Sequence, residues 1–406
     1  MSTNPSLLSV RDVLKIPVMR RVWYAQIVST FGDFLALFAV LSVVAFQLHG
    51  TPAQVTWVQI SYLLPTVLVG PFAGVFVDRW PLKPVLVFSD LIRGVLTLLL
   101  LVATQLWHFY LILTLLSVVS SFFSPAQSVT IRTSVPKEGF LSANSLMQQV
   151  IYAMRIIGPG LAGLLVASFG ASSCYLIDTV SFLASAAFIS SVAIKRPAVV
   201  HAQGEIERGA RKVFTDMSEG ILFITRHPVV SFVLSALAAA LFAIGCFGPL
   251  IAIYIRENMH VSARMFGFAS AMIGLGLLLG SNWIRLVAGK HSGQKLILFG
   301  LSGVALSLIL MAAIPHIAVT MFATFCVGNS VAAIVIPAQT FIQRETPQNL
   351  MGRIGSSVQS VVFSAQIIGL ILSGILTDFM DVRYVFAICA AVLFAIALLG
   401  TRKKIS

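Results

Sequence analysis

A series of apolar runs, each long enough to cross a lipid bilayer, constrains this chain more than any other feature. A helix rises about 1.5 Å per residue, so a hydrocarbon core about 30 Å thick needs about 20 apolar residues. Only 10% of the residues are charged and 58% are hydrophobic, whereas soluble domains carry about 25% charge. We therefore predict an all-α membrane protein with twelve transmembrane helices in two groups of six. The runs lie near residues 22–47, 55–77, 84–104, 107–130, 141–168, 172–194, 228–254, 265–288, 295–314, 315–340, 350–377 and 382–400.

An internal repeat relates the two groups of runs. Seven of the sixteen residues in segment 150–165 recur in order in segment 361–376, and the tripeptide Pro-Ala-Gln occurs at both 125–127 and 337–339. The two copies run in the same direction, which indicates a duplication. Duplicated transporters bind substrate near the middle of the membrane, between their repeats. We therefore predict two pseudo-symmetric six-helix bundles around a central substrate cavity.

The basic residues predict the orientation and the domain boundaries. With a cytoplasmic amino terminus, 22 of the 27 Lys and Arg residues fall on the cytoplasmic side, in agreement with the positive-inside rule. Because these residues are scattered over short segments, the net charge of +13 does not indicate nucleic-acid binding. We predict a multi-pass protein of the cell inner membrane with both termini in the cytoplasm. Its parts are a cytoplasmic N-terminal segment 1–20, an N-terminal bundle 21–194, a cytoplasmic linker 195–227, a C-terminal bundle 228–400 and a cytoplasmic tail 401–406.

The residues before the first run leave two interpretations open. Apolar residues between Leu7 and Leu14 alternate with charged ones, a pattern that suits an amphipathic helix on the membrane surface. The alternative is a frayed tail. No cleaved signal peptide is expected, because no long apolar core precedes a small-residue cleavage site.

Signatures of catalysis and of bound cofactors are missing from the sequence. It contains no HExxH motif, no phosphate-binding loop and no nucleophile elbow. The four cysteines stand singly in apolar segments, without the spacing of a metal site. We therefore expect a protein that is not an enzyme, binds no metal and carries no coenzyme.

Three ionisable residues lie inside the predicted spans, where a charge needs a partner or a cavity. Asp33 and Arg155 both lie about 18–21 Å from the cytoplasmic ends of their helices, so they can pair. Asp178 reaches a similar level from the outer side. A movement that joins or separates Asp33 and Arg155 would change the proton affinity of the carboxylate, as proton coupling requires. The alternative is a static network that fixes helix packing.

Polar residues at related positions of the repeat are predicted to line the substrate cavity. Arg155 aligns with Gln366, so both halves place a polar group at the same position of an apolar helix. Asn329 is a further hydrogen-bonding candidate for this cavity. In the third run, Arg93 follows Asp90 by one turn, a spacing that suits a same-face ion pair near the cytoplasmic end.

Charged and small residues at the end of the second run predict a gate latch. Gly70 and Gly74 allow close helix approach, and Asp78 and Arg79 follow at the helix end. A salt bridge from these charges would hold one conformation and break in the other. An ordinary positively flanked loop is the alternative.

In this segment the chain resembles the major facilitator superfamily, whose loop between helices two and three carries the pattern Gly-x-x-x-Asp-Arg-x-x-x-Lys. Gly74, Asp78, Arg79 and Lys83 match it in full. The related place in the second half keeps two glycines and Arg285 but has Ile284 where the acid would be. The resemblance implies a twelve-helix transporter that works by alternating access, and we assign the four residues, with Asp90 and Arg93, to its gate latch.

Further motifs resemble the drug:proton antiporter branch with its macrolide-efflux and enterobactin exporters. They are the segments 89–94, 123–126, 135–138 with 141–144, and 347–353. The resemblance implies export, and it suggests that the bend at Gly158 and Pro159, with Gly163 after it, seals or hinges the outer path. A packing kink is the alternative for these residues. The fourth predicted helix departs from many antiporters, because it has no arginine before its cytoplasmic end.

Together these features predict a proton-coupled exporter of a hydrophobic or amphipathic small molecule, such as a drug, a macrolide or a siderophore-like compound. Its expected partners are this substrate, protons and membrane lipid, and we expect a monomer. One alternative is a lysophospholipid flippase or uniporter, because Phe31-Gly32-Asp33 also looks similar to lysophospholipid transporters of the same superfamily. A second alternative is a non-transporting sensor or scaffold, against which the intramembrane acids argue.

Overall fold

The computed structural model describes residues 8–77, 79–194, 227–287, 292–345 and 351–402. Over these residues, a short helix α1 is followed by twelve helices of 18 to 30 residues. Nine spans of the described residues are long and apolar enough to cross a membrane. The predicted all-α fold with twelve long helices is confirmed. The helices are α1 Val10–Lys15, α2 Pro17–Ser42, α3 Pro52–Val77, α4 Leu82–Leu99, α5 Leu106–Ser134, α6 Phe140–Phe169, α7 Ala171–Ser190, α8 Pro228–Glu257, α9 Ala263–Val287, α10 Gly293–Ala313, α11 Ile317–Glu345, α12 Met351–Leu376 and α13 Val382–Arg402.

Contacts divide the chain into two compact units. The first comprises the described residues within Met1–Val40 and Ser61–Ala210, and the second those within Leu41–Ile60 and Arg211–Ser406. The second unit therefore includes the end of α2 and the start of α3, which the sequence analysis placed in the N-terminal bundle. We call residues 41–60 the hairpin tip. The predicted domain boundaries stay a prediction.

The hairpin tip begins with an irregular turn and is held by an arginine of α8. After Ser42 the α-helix gives way to a π-helical turn, Val43–Gln47, a rare form with wider hydrogen-bonded rings. The guanidinium of Arg256 donates hydrogen bonds to the carbonyl of Ala45 and, at 2.9 Å, to that of Gly50. These bonds join residues more than 200 positions apart and fix the hairpin tip within the second unit.

Helix α1 packs against the protein rather than standing alone as a tail. Ser9 caps its first turn, and Val13 is fully buried against residues of α5 and α6. The hydroxyl of Ser142 also donates to the carbonyl of Leu8 at 2.7 Å. Hydrogen bonds from Lys15 and Ser9 lower the pKa of Asp12 to about 2, so this carboxylate stays ionised at neutral pH. Residues 10–15 therefore form a docked helix and not a frayed tail, and a position of this helix on the membrane surface stays a prediction.

Candidate functional site

Two polar stripes face each other between α4 and α7 in the first unit. Each stripe has its residues at positions i, i+3 and i+7, which lie on one face of a helix. The stripes consist of Asp90, Arg93 and Thr97 on α4 and of Asp178, Ser181 and Ser185 on α7. Asp90 pairs with Ser185 and Thr97 pairs with Asp178, so the helices run antiparallel. All six side chains are buried.

Asp90 and Arg93 form a buried ion pair, as their spacing predicts. The guanidinium donates to one carboxylate oxygen of Asp90, and the hydroxyl of Ser185 donates to the other at 2.5 Å. Arg93 also lies between the rings of Phe123 and Phe182, whose centroids are 4.3 and 4.5 Å from its central carbon. Cation–π attraction strengthens when the cation is desolvated. The charge of Arg93 is therefore balanced by one carboxylate and two aromatic faces.

Asp178 lies at the opposite end of the same interface from Asp90, and hydroxyl groups hold its carboxylate. Thr97 and Ser181 each donate to one of its oxygens at 3.2 Å. Gly32 of α2 packs directly on it, because a Cβ atom at residue 32 would overlap the Asp178 carboxylate and the Ser181 hydroxyl. Only a glycine allows α2 to approach Asp178 this closely.

Asp33 follows this glycine and completes the group of acids at this interface. Its side chain is half-buried and makes no hydrogen bond or ion pair with another described residue. It lies within electrostatic range of Arg93, Asp90 and Asp178. We call Asp33, Asp90, Arg93 and Asp178 the acidic cluster. If all its carboxyl groups were ionised, its three negative charges would face one positive charge.

The structure describes the predicted partner of Asp33 only in part. The backbone of Arg155 lies in α6, but its side chain is outside the described residues, so the pair of Asp33 and Arg155 stays a prediction. Within the described part, the cation that acts on Asp33 is Arg93. Two residues on different helices can lie at the same depth in the membrane and still point in different directions. Equal depth alone therefore does not show that they are in contact.

The other cavity and kink residues lie on three helices. Gln366 is half-buried on α12, where its backbone carbonyl packs against Gly245 of α8. Asn329 is half-buried on α11 and lines a cavity inside the second unit. In α6, Gly158 packs on Phe34 of α2 and Gly163 is buried. The side chain of Pro159 is outside the described residues.

The predicted gate latch is only partly described. Asp78 is outside the described residues, Arg79 is exposed, and the ammonium of Lys83 donates to the carbonyl of Ser190 at 2.6 Å. Lys83 thus binds the last turn of α7, where a cation is favoured. Among the described residues outside its own helix turn, none would come within 4 Å of a Cβ atom added at Gly74. Asp90 and Arg93 pair with each other in the acidic cluster, and the assignment of these residues and of Gly74 to a gate latch stays a prediction.

The hydroxyl partners of the cluster were not predicted from the sequence. Thr97 and Ser181 donate to the carboxylate of Asp178, and Ser185 donates to that of Asp90, but isolated hydroxyl residues are common in membrane helices. The signal that would have found them is the shared spacing of three and seven residues from Asp90 and Asp178. Across the described residues, no three His, Cys, Asp or Glu side chains are arranged to hold a metal ion.

Replacing Gly32 by alanine should destabilise the first unit, whereas the same change at Gly74 should not. The added methyl group at residue 32 would overlap Asp178 and Ser181, and such overpacking typically costs about 1–3 kcal/mol. At residue 74 the methyl group meets open space and gains helix propensity. Thermal unfolding of both variants in detergent measures the difference, and equal unfolding temperatures would show that α2 does not pack this closely.

Comparison with known proteins adds to this geometry. Residues 22–370 match the family described as Major Facilitator Superfamily. The MFS-type transporter YfiS of Bacillus subtilis (strain 168) is 26% identical over 383 residues, which cover 92% of this chain and 90% of that protein. Macrolide efflux protein A of Streptococcus pyogenes is 23% identical over 389 residues, 93% of each chain. The crystal structure of nucleoside transporter NupG superposes with a TM-score of 0.71 at 13% identity, covering 95% of this chain and 98% of that one.

Proposed function

The chain belongs to the Major Facilitator Superfamily, and we propose that this multi-pass membrane transporter exports a hydrophobic or amphipathic small molecule in exchange for protons. Transport would proceed by alternating access, with the substrate bound near the middle of the membrane. Asp33 would be the residue that takes up and releases the proton. The resemblance to macrolide efflux protein A supports both the export direction and the substrate class.

The three acids of the cluster differ in their partners, and this difference carries the proposal. Asp90 has a cation and a hydroxyl as partners, and Asp178 has two hydroxyls. Asp33 has neither a cation nor a hydroxyl as a hydrogen-bond partner among the described residues, although it lies within electrostatic range of Arg93 and Asp90. Ionisable groups at membrane depth face a partner or a water-filled cavity and typically mark a substrate or proton path. Asp33 is therefore the acid of this cluster whose proton can leave without breaking a hydrogen bond seen here.

Other assignments complete the proposal. Arg155 would modulate the charge of Asp33, Asp178 would share the proton, and Gln366 and Asn329 would take part in substrate binding. The loop charges Asp78, Arg79 and Lys83 would open and close the cytoplasmic gate. The protein would act as a monomer in the cell inner membrane with both termini in the cytoplasm.

Proton release from energised inside-out vesicles tests the proposed function. Vesicles that contain the wild type or Asp33→Asn are challenged with macrolides, tetracyclines, cationic dyes, siderophores and lysolipids, while a fluorescent dye reports the pH gradient. We expect at least one compound to dissipate the gradient only when Asp33 is present. That compound would also identify the substrate class.

The opposite outcome is equally informative. If a lysolipid or another compound crosses the vesicle membrane through the protein and the pH gradient does not change, the protein is a flippase or uniporter. Asp33 would then be structural. Vesicles without the protein provide the background for passive leakage, which is large for amphipathic compounds.

A further inference from the structure

A cavity of about 590 Å³ lies within the second unit, among α9, α10, α11 and α13. This volume falls within the range of small-molecule sites, about 300–1,000 Å³. Its described wall contains five aromatic residues and no charged residue. These are Trp283, Phe299, Phe322, Phe325 and Phe394. Phe299 and Phe322 are 56% and 61% exposed, so the cavity opens sideways on the surface of helices that span the membrane.

Two adjacent polar side chains in this cavity have no hydrogen-bond partner among the described residues. Ser330 is only 5% exposed and Asn329 is half-buried, and both line the cavity. By contrast, the hydroxyl of Ser307 in the same wall donates to the carbonyl of Gly303 at 2.8 Å. A polar group in an apolar environment costs free energy unless it is hydrogen-bonded. The amide and the hydroxyl are therefore available to a ligand.

Close packing fixes the backbone of Asn329 and the hydroxyl of Ser330 in place. Gly280 of α9 lies against the backbone of Asn329, where an added Cβ atom would come within 2.9 Å of its Cα atom. Gly303 of α10 lies against the hydroxyl of Ser330. The polar pair therefore stands on a rigid helix interface, which reduces the entropy that a ligand must overcome on binding.

The depth of Asn329 decides which kind of molecule fits. It lies twelve residues from the start of α11 at Ile317, which corresponds to about 18 Å along the helix axis. This is near the middle of a membrane core about 30 Å thick. The head groups of phospholipids lie at the membrane surface and cannot reach this level. A ligand must therefore carry its hydrogen-bonding group inside an otherwise apolar body.

We propose that this cavity is a binding site for a neutral, ring-containing amphipathic molecule that reaches it from within the bilayer. Its rings would stack on the aromatic wall, since aromatic pairs favour offset or edge-to-face contact. A single aromatic amine, amide, hydroxyl or carbonyl group would bond to Asn329 and Ser330. Binding at this site requires no change of charge in its wall, because the described lining contains no acidic or basic residue.

Photolabelling with 1-azidoanthracene tests this site. The protein is reconstituted in nanodiscs, equilibrated with the fluorescent analogue 1-aminoanthracene as competitor, and illuminated, and adducts are located by mass spectrometry. We expect labelling of α10 and α11 around Asn329 and competition by 1-aminoanthracene. Anthracene lacks the amine and should compete about three- to tenfold more weakly, the effect of one neutral hydrogen bond.

Three variants decide between the site and a nonspecific apolar groove. Asn329→Leu should weaken 1-aminoanthracene binding about three- to tenfold, and Ser302→Trp should fill the cavity and abolish labelling there. Asn282→Leu is the matched control, because Asn282 is exposed on α9 and donates to the carbonyl of Leu278 instead. Equal competition by anthracene, or labelling unchanged in Asn329→Leu and Ser302→Trp, would overturn the proposal and leave a groove filled by lipid chains.

Discussion

Asp33→Asn should abolish proton-driven transport but leave exchange of substrate across the membrane intact. Asparagine has nearly the same shape as aspartate but cannot carry a proton, and Asp33 makes no hydrogen bond to a described residue that the change would break. Substrate exchange needs the protein to alternate between its two openings but needs no net proton movement. Loss of the first activity with retention of the second would therefore separate coupling from binding.

Proteoliposomes allow both activities to be measured on one preparation. A pH gradient drives substrate accumulation in the first assay, and unlabelled substrate on one side drives counterflow of labelled substrate in the second. We expect accumulation by Asp33→Asn to fall to the level of liposomes without protein. Asp378→Asn, which changes an exposed acid after α12, should behave like the wild type. Retained accumulation by Asp33→Asn would remove Asp33 from the mechanism, and loss of both activities would assign it to binding or folding.

Arg93→Met should strongly destabilise the protein, and adding Asp90→Asn should recover much of the lost stability. The single change leaves Asp90 buried without its cation, and removal of one partner of a buried ion pair typically costs about 3–5 kcal/mol. This is a large part of the roughly 5–15 kcal/mol that stabilises a typical folded domain. The double variant replaces the pair by neutral groups, and the Met side chain still packs between Phe123 and Phe182.

Heating in detergent followed by size-exclusion chromatography measures this effect. The fraction that stays monodisperse should fall at a much lower temperature for Arg93→Met than for the wild type, with the double variant in between or close to the wild type. Arg79→Met serves as a control, because Arg79 is exposed. If the single and double variants unfold together, the ion pair does not account for the role of Arg93, and its contacts with the two rings do.

The helices of this protein could be predicted because apolar length is a direct requirement of the bilayer. The eighth predicted run, 265–288, agrees with α9 at Ala263–Val287. The ion pair of Asp90 and Arg93 could also be predicted, because residues one turn apart on a helix are neighbours whatever surrounds them. Both predictions depend only on local geometry.

Contacts between helices were harder to predict, because hydropathy does not show which face of a helix meets which neighbour. The arrangement of Asp33 near Arg93 and Asp178 depends on the rotation of three helices about their axes. The clearest sequence feature that indicates it is Gly32, the small residue beside Asp33. The serine and threonine partners were not singled out for the same reason. The placement of the hairpin tip in the second unit also depends on one arginine far along the chain.

The hairpin tip imposes an order on the biogenesis of the protein. The carbonyls of Ala45 and Gly50 leave the ribosome more than 200 residues before Arg256, which binds them. The ribosome adds roughly 5–20 residues per second. Roughly ten to forty seconds therefore pass between the synthesis of the hairpin tip and that of Arg256. The first hairpin must therefore enter the membrane before its final contacts exist. Two half-proteins made as separate chains would have to find each other before the tip could reach its native packing.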